Sequence, residues 1–173
     1  IVLTGAGRAF IAGADISEFG GANQGPSLHD CLNTMDASEK PIIAAINGTA
    51  FGGGLEVALC CHYRVIAPSA QVGLPEVKLG LLPGAGGTQR LPRLVGAEKA
   101  LDFMLSGDGI PGPAAHALGI VDEVADGDIV ESAMTYAKNI ISQGSPTRCI
   151  RDENTLLIPD RERPEIFDNA RKT

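Results

Sequence analysis

Two glutamates in this chain stand where apolar, glycine-rich sequence offers a carboxylate little solvation. Glu56 follows the cluster Gly52-Gly-Gly54, and Glu76 lies in a Leu-Pro-Glu turn. A buried charge is costly unless something compensates it, and functional sites are where that cost is carried. A pair of carboxylates suits proton transfer, one giving while the other takes. The glycines add backbone N–H groups that can approach a ligand where a Cβ would clash. Ala12-Gly-Ala-Asp15 and Gly52-Gly-Gly54 each follow an apolar run. Two N–H groups from separate loops are what an oxyanion hole needs, because a carbonyl gaining charge wants donors fixed beforehand. Each feature has a plainer reading on its own. The glycine cluster could serve close helix–strand packing, Glu56 could favour a helix dipole, and Glu76 could be an ordinary turn residue. Their coincidence points to acid–base chemistry beside a polarised carbonyl.

Other chemistries find no support. Gly5-Ala-Gly-Arg-Ala-Phe10 and Gly84-Ala-Gly-Gly-Thr-Gln89 lack the spacing of a dinucleotide fingerprint, and no glycine loop ends in Gly-Lys-Ser/Thr. His29, His62 and His116 have no metal-ligand spacing, and there is no Gly-x-Ser-x-Gly elbow. His29 reads as a solvated polar residue. The net charge of −7 and pI near 4.9 argue against a nucleic-acid partner. No apolar run reaches the ~18 residues of a membrane span, and no signal peptide is visible. Cys31, Cys60, Cys61 and Cys149 show no Cys-x-x-Cys spacing, so they read as reduced thiols of a reducing compartment.

The elements that must position the glutamates follow from periodicity. Ile1–Thr4 reads as a buried strand, and Gly5 to Asp15 as a loop of small residues. Leu28, Cys31, Leu32 and Met35 fall at helical spacing behind the candidate N-cap Ser27, and Pro41 ends that helix. Ile42–Ile46 is a buried strand, Asn47-Gly48 a turn, and Gly53–Cys61 a helix whose free N–H groups face back to the loop. Strands are expected at Tyr63–Ala67, Gln71–Gly73 and Ile120–Val124. Helices are expected from the Gly84–Gly87 loop onward, with Pro92 breaking or kinking the first, then over Ala97–Ser106 and from Pro113 to Gly119. Asp128 and Glu131 form a capping box for a helix to about Ser142, its apolar face being Val130, Ala133, Ala137 and Ile141. Beyond Gly144 the pattern weakens. Alternating strands and helices in 173 residues make one α/β domain.

Four segments together resemble the crotonase, or enoyl-CoA hydratase, superfamily: Ala-Gly-Ala-Asp at 12–15, Asn-Gly-Thr-Ala-Phe-Gly-Gly-Gly-Leu-Glu at 47–56, Leu-Pro-Glu at 74–76 and Gly-Leu-Leu-Pro-Gly-Ala-Gly-Gly-Thr-Gln-Arg-Leu at 80–91. The wording around Glu76 most resembles the hydratase part of multifunctional fatty-acid β-oxidation enzymes. The resemblance implies a crotonase-type α/β spiral of repeated ββα units. It implies that the N–H groups of Ala14 and Gly53 hold the thioester oxygen of an acyl-CoA, and that Ala12, Asp15, Ile16 and Gly84 lie against substrate or catalytic water. Hydratases of the family grip one water between two glutamates, and Glu56 and Glu76 are their counterparts. Glu56 would take the proton of the adding water and Glu76 would protonate C2, although sequence leaves the two roles interchangeable. Family isomerases generally keep only the Glu76 counterpart, so the pair favours hydration.

Several expectations follow from the resemblance. The reaction adds water across the C2=C3 bond of trans-2-enoyl-CoA, needs no metal or redox cofactor, and brings coenzyme A in as part of the substrate. Rivals are a Δ3,Δ2-enoyl-CoA isomerase and a non-catalytic acyl-CoA-binding or assembly module. The expected partnerships are a trimer-based homo-oligomer or fusion to a 3-hydroxyacyl-CoA dehydrogenase domain, in bacterial cytoplasm or a mitochondrial or peroxisomal interior. Ile1 opens inside a strand, so the family's first strands and helix are expected before it. The C-terminal helices that close the acyl pocket are expected largely after Thr173, with 1–143 as core and 144–173 as the start of that helical region. A lysine common after Ala-Asp-Ile in the family is Ser17 here, leaving the partner of the coenzyme A phosphates open.

Overall fold

A computed structural model of the chain describes residues 1–14 and 25–172. Three ββα units wind in succession. The first comprises β1 (Val2–Thr4), β2 (Ala9–Ile11) and α1 (Leu28–Asp36). The second comprises β3 (Ile43–Ile46), β4 (Thr49–Phe51) and α2 (Gly53–Cys60). The third has β5 (Tyr63–Ile66), β6 (Gln71–Gly73), a 3-10 turn over Pro75–Leu79 and α3 (Gly87–Val95). In each unit the first strand enters one sheet and the second strand enters another. The first sheet is therefore β1-β3-β5, extended by β8 (Glu123–Val124), all parallel. The second is β2-β4-β6, closed by antiparallel β7 (Ile110–Pro111). This is the repeated ββα spiral that the resemblance implies.

The central strand shows why the apolar runs lack alternation. Every residue of β3 is buried, as expected for a parallel strand covered on both faces. Ala44 and Ile46 face the main core with Leu55, Leu59 and Ile66. Ile43 and Ala45 face a second core with Val65, Ala133 and Ile140. The second core is closed by α6 (Ile129–Ser142), the remaining helices being α4 (Ala97–Ser106), α5 (Gly112–Leu118), α7 (Leu157–Asp160) and α8 (Glu165–Ala170).

Several local expectations hold. Ser27 caps α1, accepting from the Asp30 N–H while Asp30 accepts from the Ser27 N–H. Others need correction. Ala9–Ile11 is a strand rather than part of a loop, and Thr49–Phe51, unassigned by local pattern after the Asn47-Gly48 turn, is a strand as well, because each pairs with a distant strand rather than with its neighbours in sequence. The α1 helix ends at Asp36, ahead of Pro41. Only Glu123–Val124 of the expected Ile120–Val124 strand pairs with β5. Pro92 lies inside α3 without breaking it. On α6 the buried positions are Ala133 and Ile140, whereas Val130 and Ile141 are exposed.

One buried charge escapes the hydrophobic pattern altogether. Arg64, fully buried in β5, donates through Nε to the Ile120 carbonyl at 2.9 Å and through Nη1 to the Cys61 carbonyl at 2.8 Å. Its Nη2 pairs with Asp122 at 3.2 Å, and Asp122 also accepts from the Arg64 N–H and from Arg148. The cluster binds β5 to the segment leading into β8. Removing one member of a buried pair strands the other charge and costs about 3–5 kcal/mol. Asp122→Ala is therefore expected to lose that much stability in urea denaturation. A loss below about 1 kcal/mol, the usual size of a point substitution, would show that the cluster does not hold this edge of the sheet.

Candidate active site

The glycine cluster works by a separate constraint at each position. Gly52, at φ +55°, turns β4 into α2, and its N–H is already committed to the Gly73 carbonyl at 2.9 Å. A Cβ on Gly54 would stand 1.9 Å from the Ile11 carbonyl oxygen, so only glycine lets α2 press on β2. Gly53 is left as the first residue of α2, where no intrahelical carbonyl can serve its N–H. A Cβ there would lie 3.9 Å from the Ala14 nitrogen, so the two backbone positions face one another.

Glu56 is one turn into α2 and only 2% exposed. Its carboxylate does not serve its own helix. Oε1 accepts from the N–H of Ala85 at 2.7 Å and of Gly87 at 2.8 Å, at the start of α3. The N-cap of α3 is Gly86, which has no side-chain oxygen to offer, and Glu56 supplies the missing acceptor. Among the described residues nothing donates to Oε2.

Glu76 approaches from the 3-10 turn on the opposite side. Its Oε1 comes within 3.2 Å of where a Cβ on Gly52 would be. Its Oε2 is buried without a hydrogen-bond partner among the described residues. Burial pushes the Glu76 carboxyl above its ordinary 4.5, and the charge of Glu56 pushes in the same direction against a hydrogen bond from its own backbone.

Both glutamates line one cavity of about 470 Å³, together with Ala12, Ala14, Gly53 and Gly84. Sequence reasoning had named all six. Asp15 and Ile16 lie outside the described residues. The rest of the lining is mainly apolar and was not foreseen: Leu28, Phe51, Leu79, Leu81 and Leu82, with Ala85 at the back. His29, read as merely solvated, is exposed and also borders the cavity. The anchoring role of Ala85 and Gly87 was missed as well. The available signal was a glycine N-cap with no oxygen of its own, which requires an acceptor from elsewhere. Among the described residues, no group of three or more His, Cys, Asp or Glu is placed to hold a metal ion. A cavity with an apolar wall, two carboxylates and the Ala14 and Gly53 backbones in its lining has the groups to polarise a carbonyl and to move protons beside it.

The sequence profile of the enoyl-CoA hydratase/isomerase family matches residues 1–150. The chain belongs to that family. It is 46% identical over 171 residues to the human peroxisomal bifunctional enzyme, covering 98% of this chain and 23% of that protein. It is also 46% identical over 181 residues to the cucumber (Cucumis sativus) glyoxysomal fatty acid beta-oxidation multifunctional protein MFP-a, covering 99% of this chain and 25% of that one. The chain thus spans about a quarter of the length of these curated relatives. The crystal structure of an enoyl-CoA hydratase from Bacillus anthracis superposes with a TM-score of 0.74 at 41% identity, over 82% of this chain and 58% of that one. Within the superfamily, this chain most resembles the hydratase part of the multifunctional β-oxidation enzymes.

The Glu76 environment makes stability depend on pH. A carboxyl whose folded-state pKa is raised binds more protons folded than unfolded, so it stabilises the fold at low pH. That contribution is complete below the unfolded value near 4.5 and is lost as pH rises through the folded value. Glu76→Gln abolishes the dependence. Relative to the parent, the variant is expected to gain stability as pH rises above 4.5 in urea titrations, and then to level off. A constant difference across that window would mean that the carboxyl is not perturbed.

Proposed function

We propose that the full-length protein is an enoyl-CoA hydratase that adds water across the C2=C3 bond of trans-2-enoyl-CoA, giving 3-hydroxyacyl-CoA in fatty-acid β-oxidation. The observation that carries this reading is the convergence of two carboxylates on one cavity beside the Ala14 and Gly53 nitrogens. The thioester oxygen accepts from those two N–H groups, which draws electron density from C3 and stabilises the enolate oxygen as it forms. A water held between Glu56 and Glu76 loses a proton to Glu56 as its oxygen bonds to C3. Glu76 then delivers a proton to C2 as the enolate collapses. One H and one OH have been added, and the two carboxyls have exchanged protonation states.

Two observations support this assignment of the roles that sequence leaves interchangeable. Burial favours the protonated form of Glu76, which suits the group that must give a proton. Glu56 has Oε1 tied to two N–H donors and keeps Oε2 for the water. Ala12 and Gly84 border substrate and water, and Asp15 and Ile16 are assigned to the substrate by the family resemblance alone. On this reading no metal or redox cofactor takes part, and coenzyme A arrives with the substrate.

A second reading is kept by one observation. The Oε2 of Glu76, which has no partner among the described residues, could shuttle a proton between C2 and C4 by itself, the reaction of a Δ3,Δ2-enoyl-CoA isomerase. Such activity would depend on Glu76 more than on Glu56. The names of the relatives support a peroxisomal interior and a multifunctional protein. A fused 3-hydroxyacyl-CoA dehydrogenase would consume the hydration product directly, and a trimer-based homo-oligomer is the alternative assembly. Residues 1–143 would form the core of a single partial domain, and 144–173 would begin its C-terminal helical region.

Positioned proton transfer contributes about 10²–10⁴-fold, so Glu56→Gln and Glu76→Gln should each slow hydration of crotonyl-CoA by that order in the full-length protein. The losses should not multiply, because one water serves both groups. A Glu56→Gln protein working at the parental rate would end the two-carboxylate mechanism and favour the isomerase. Donors at Ala14 and Gly53 should also shift the absorbance of a bound conjugated enoyl thioester to longer wavelength. If the protein saturates and the spectrum stays that of the free thioester, the donor assignment fails.

A further inference from the structure

Behind the cavity lies a buried knot that no step of the proposed reaction uses. Arg90 on α3 donates through Nη2 to Asp36 Oδ2 on α1 at 2.7 Å, with the side chains 9% and 1% exposed. Cys60 on α2 donates through Sγ to Asp36 Oδ1 at 3.2 Å. A half-exposed Arg151 adds a second cation to Asp36 at 3.2 Å. A buried ion pair is poor value as mere glue, since well-packed apolar side chains of the same volume hold helices as well or better. A guanidinium offers something that apolar packing cannot, namely further donors in a planar fork.

That fork points at the peptide units that hold Glu56. Arg90 Nη1 donates to the Ala85 carbonyl at 3.3 Å. The guanidinium lies so close to the Gly86 backbone that a Cβ there would be 2.2 Å from Nη1. Ala85 and Gly87, on either side, supply the two N–H groups received by Glu56 Oε1. Cys60 stands one turn beyond Glu56 on the same helix. Asp36 therefore braces the helix that carries the carboxylate and, through Arg90, the loop that grips it.

We propose that Arg90 and Asp36 are positioning residues for Glu56, fixing the Ala85–Gly87 peptides so that their N–H groups aim at Oε1. The inference rests on the reading of Glu56 as the base of hydration. Releasing the clamp lets the loop turn and Glu56 drift from the water. A displacement of about 1 Å in a catalytic group can cost about 10²-fold in rate. The loss falls on kcat, while KM changes little because the thioester oxygen and coenzyme A are held elsewhere.

The test compares Arg90→Gln, Arg90→Lys and Glu56→Gln, together with Arg90→Gln placed in the Glu56→Gln background, all in the full-length protein. Arg90→Gln should lower kcat for crotonyl-CoA hydration by about 10–10²-fold. Arg90→Lys, which keeps the charge but not the fork, should retain more activity. In the Glu56→Gln background Arg90→Gln should cost almost nothing further, because its route to the reaction has gone. If Arg90→Gln alone does not fold, Asp36→Asn with Arg90→Gln leaves no buried charge stranded, the half-exposed Arg151 being solvated, and serves the same comparison. Parental kcat in the folded variants, or an equal loss in both backgrounds, overturns the positioning role and leaves the hydratase reading intact. Parental kcat in Glu56→Gln instead removes the hydratase mechanism itself.

Discussion

The site depends on one bifurcated contact, two backbone N–H groups converging on a single oxygen of Glu56. It meets two burial costs at once. A carboxylate on a helix sunk in the core needs donors, and a helix that begins at glycine needs an acceptor. The contact also sets the geometry of the cavity. Helices α2 and α3 meet at the carboxylate, and the loop between the 3-10 turn and α3 forms the back wall where Gly84 and Ala85 lie.

The two glutamates differ because their supports differ. Glu56 is carried by a helix packed on β2, β4 and α3, with Oε1 held by two N–H groups and Oε2 without a donor among the described residues. Glu76 is carried by a short 3-10 turn whose residues are at most half-buried, and its Oε2 is buried with no partner among the described residues. Such an arrangement keeps one carboxyl held and the other readily protonated, within reach of the same small volume. The outer wall of the cavity is leucine-rich, with Leu82 81% exposed and Leu79 64% exposed, so the polar chemistry is confined to the inner end.

The sheets provide the placement. Because the first strand of each ββα unit joins one sheet and the second strand the other, the loops after β2 and β4 emerge side by side. Ala14 and Gly53, 39 positions apart in the chain, are brought face to face by the parallel pairing of Ala9 with Thr49 and Ile11 with Ala50. Gly54 lets this happen, since any side chain there would collide with the Ile11 carbonyl. Buried ion clusters at Arg64–Asp122 and Asp36–Arg90 fasten the elements behind them.

Local sequence determined a good deal. The Ser27 cap, the unalternating run of β3, the glycine entry to α2 and the Pro-Glu turn are all set by nearest neighbours, and each was legible. So were six of the residues lining the cavity, because carboxylates and clustered glycines stand out in an apolar context. The chain alone could not show that Ala9–Ile11 and Thr49–Phe51 are strands, since those three-residue segments exist only through pairing with distant partners. Nor could it show which face of α6 is buried, which is settled by the packing of Ala133 and Ile140 against Ile43, Ala45 and Val65 of the first sheet. Nothing in the local sequence marks Arg64, Asp36 and Arg90 as buried, since their partners come from other elements. Whether a charge can be buried depends on donors and acceptors that only the tertiary structure brings within reach, and the same holds for the oxygen of Glu56 that accepts two N–H groups 29 and 31 residues away.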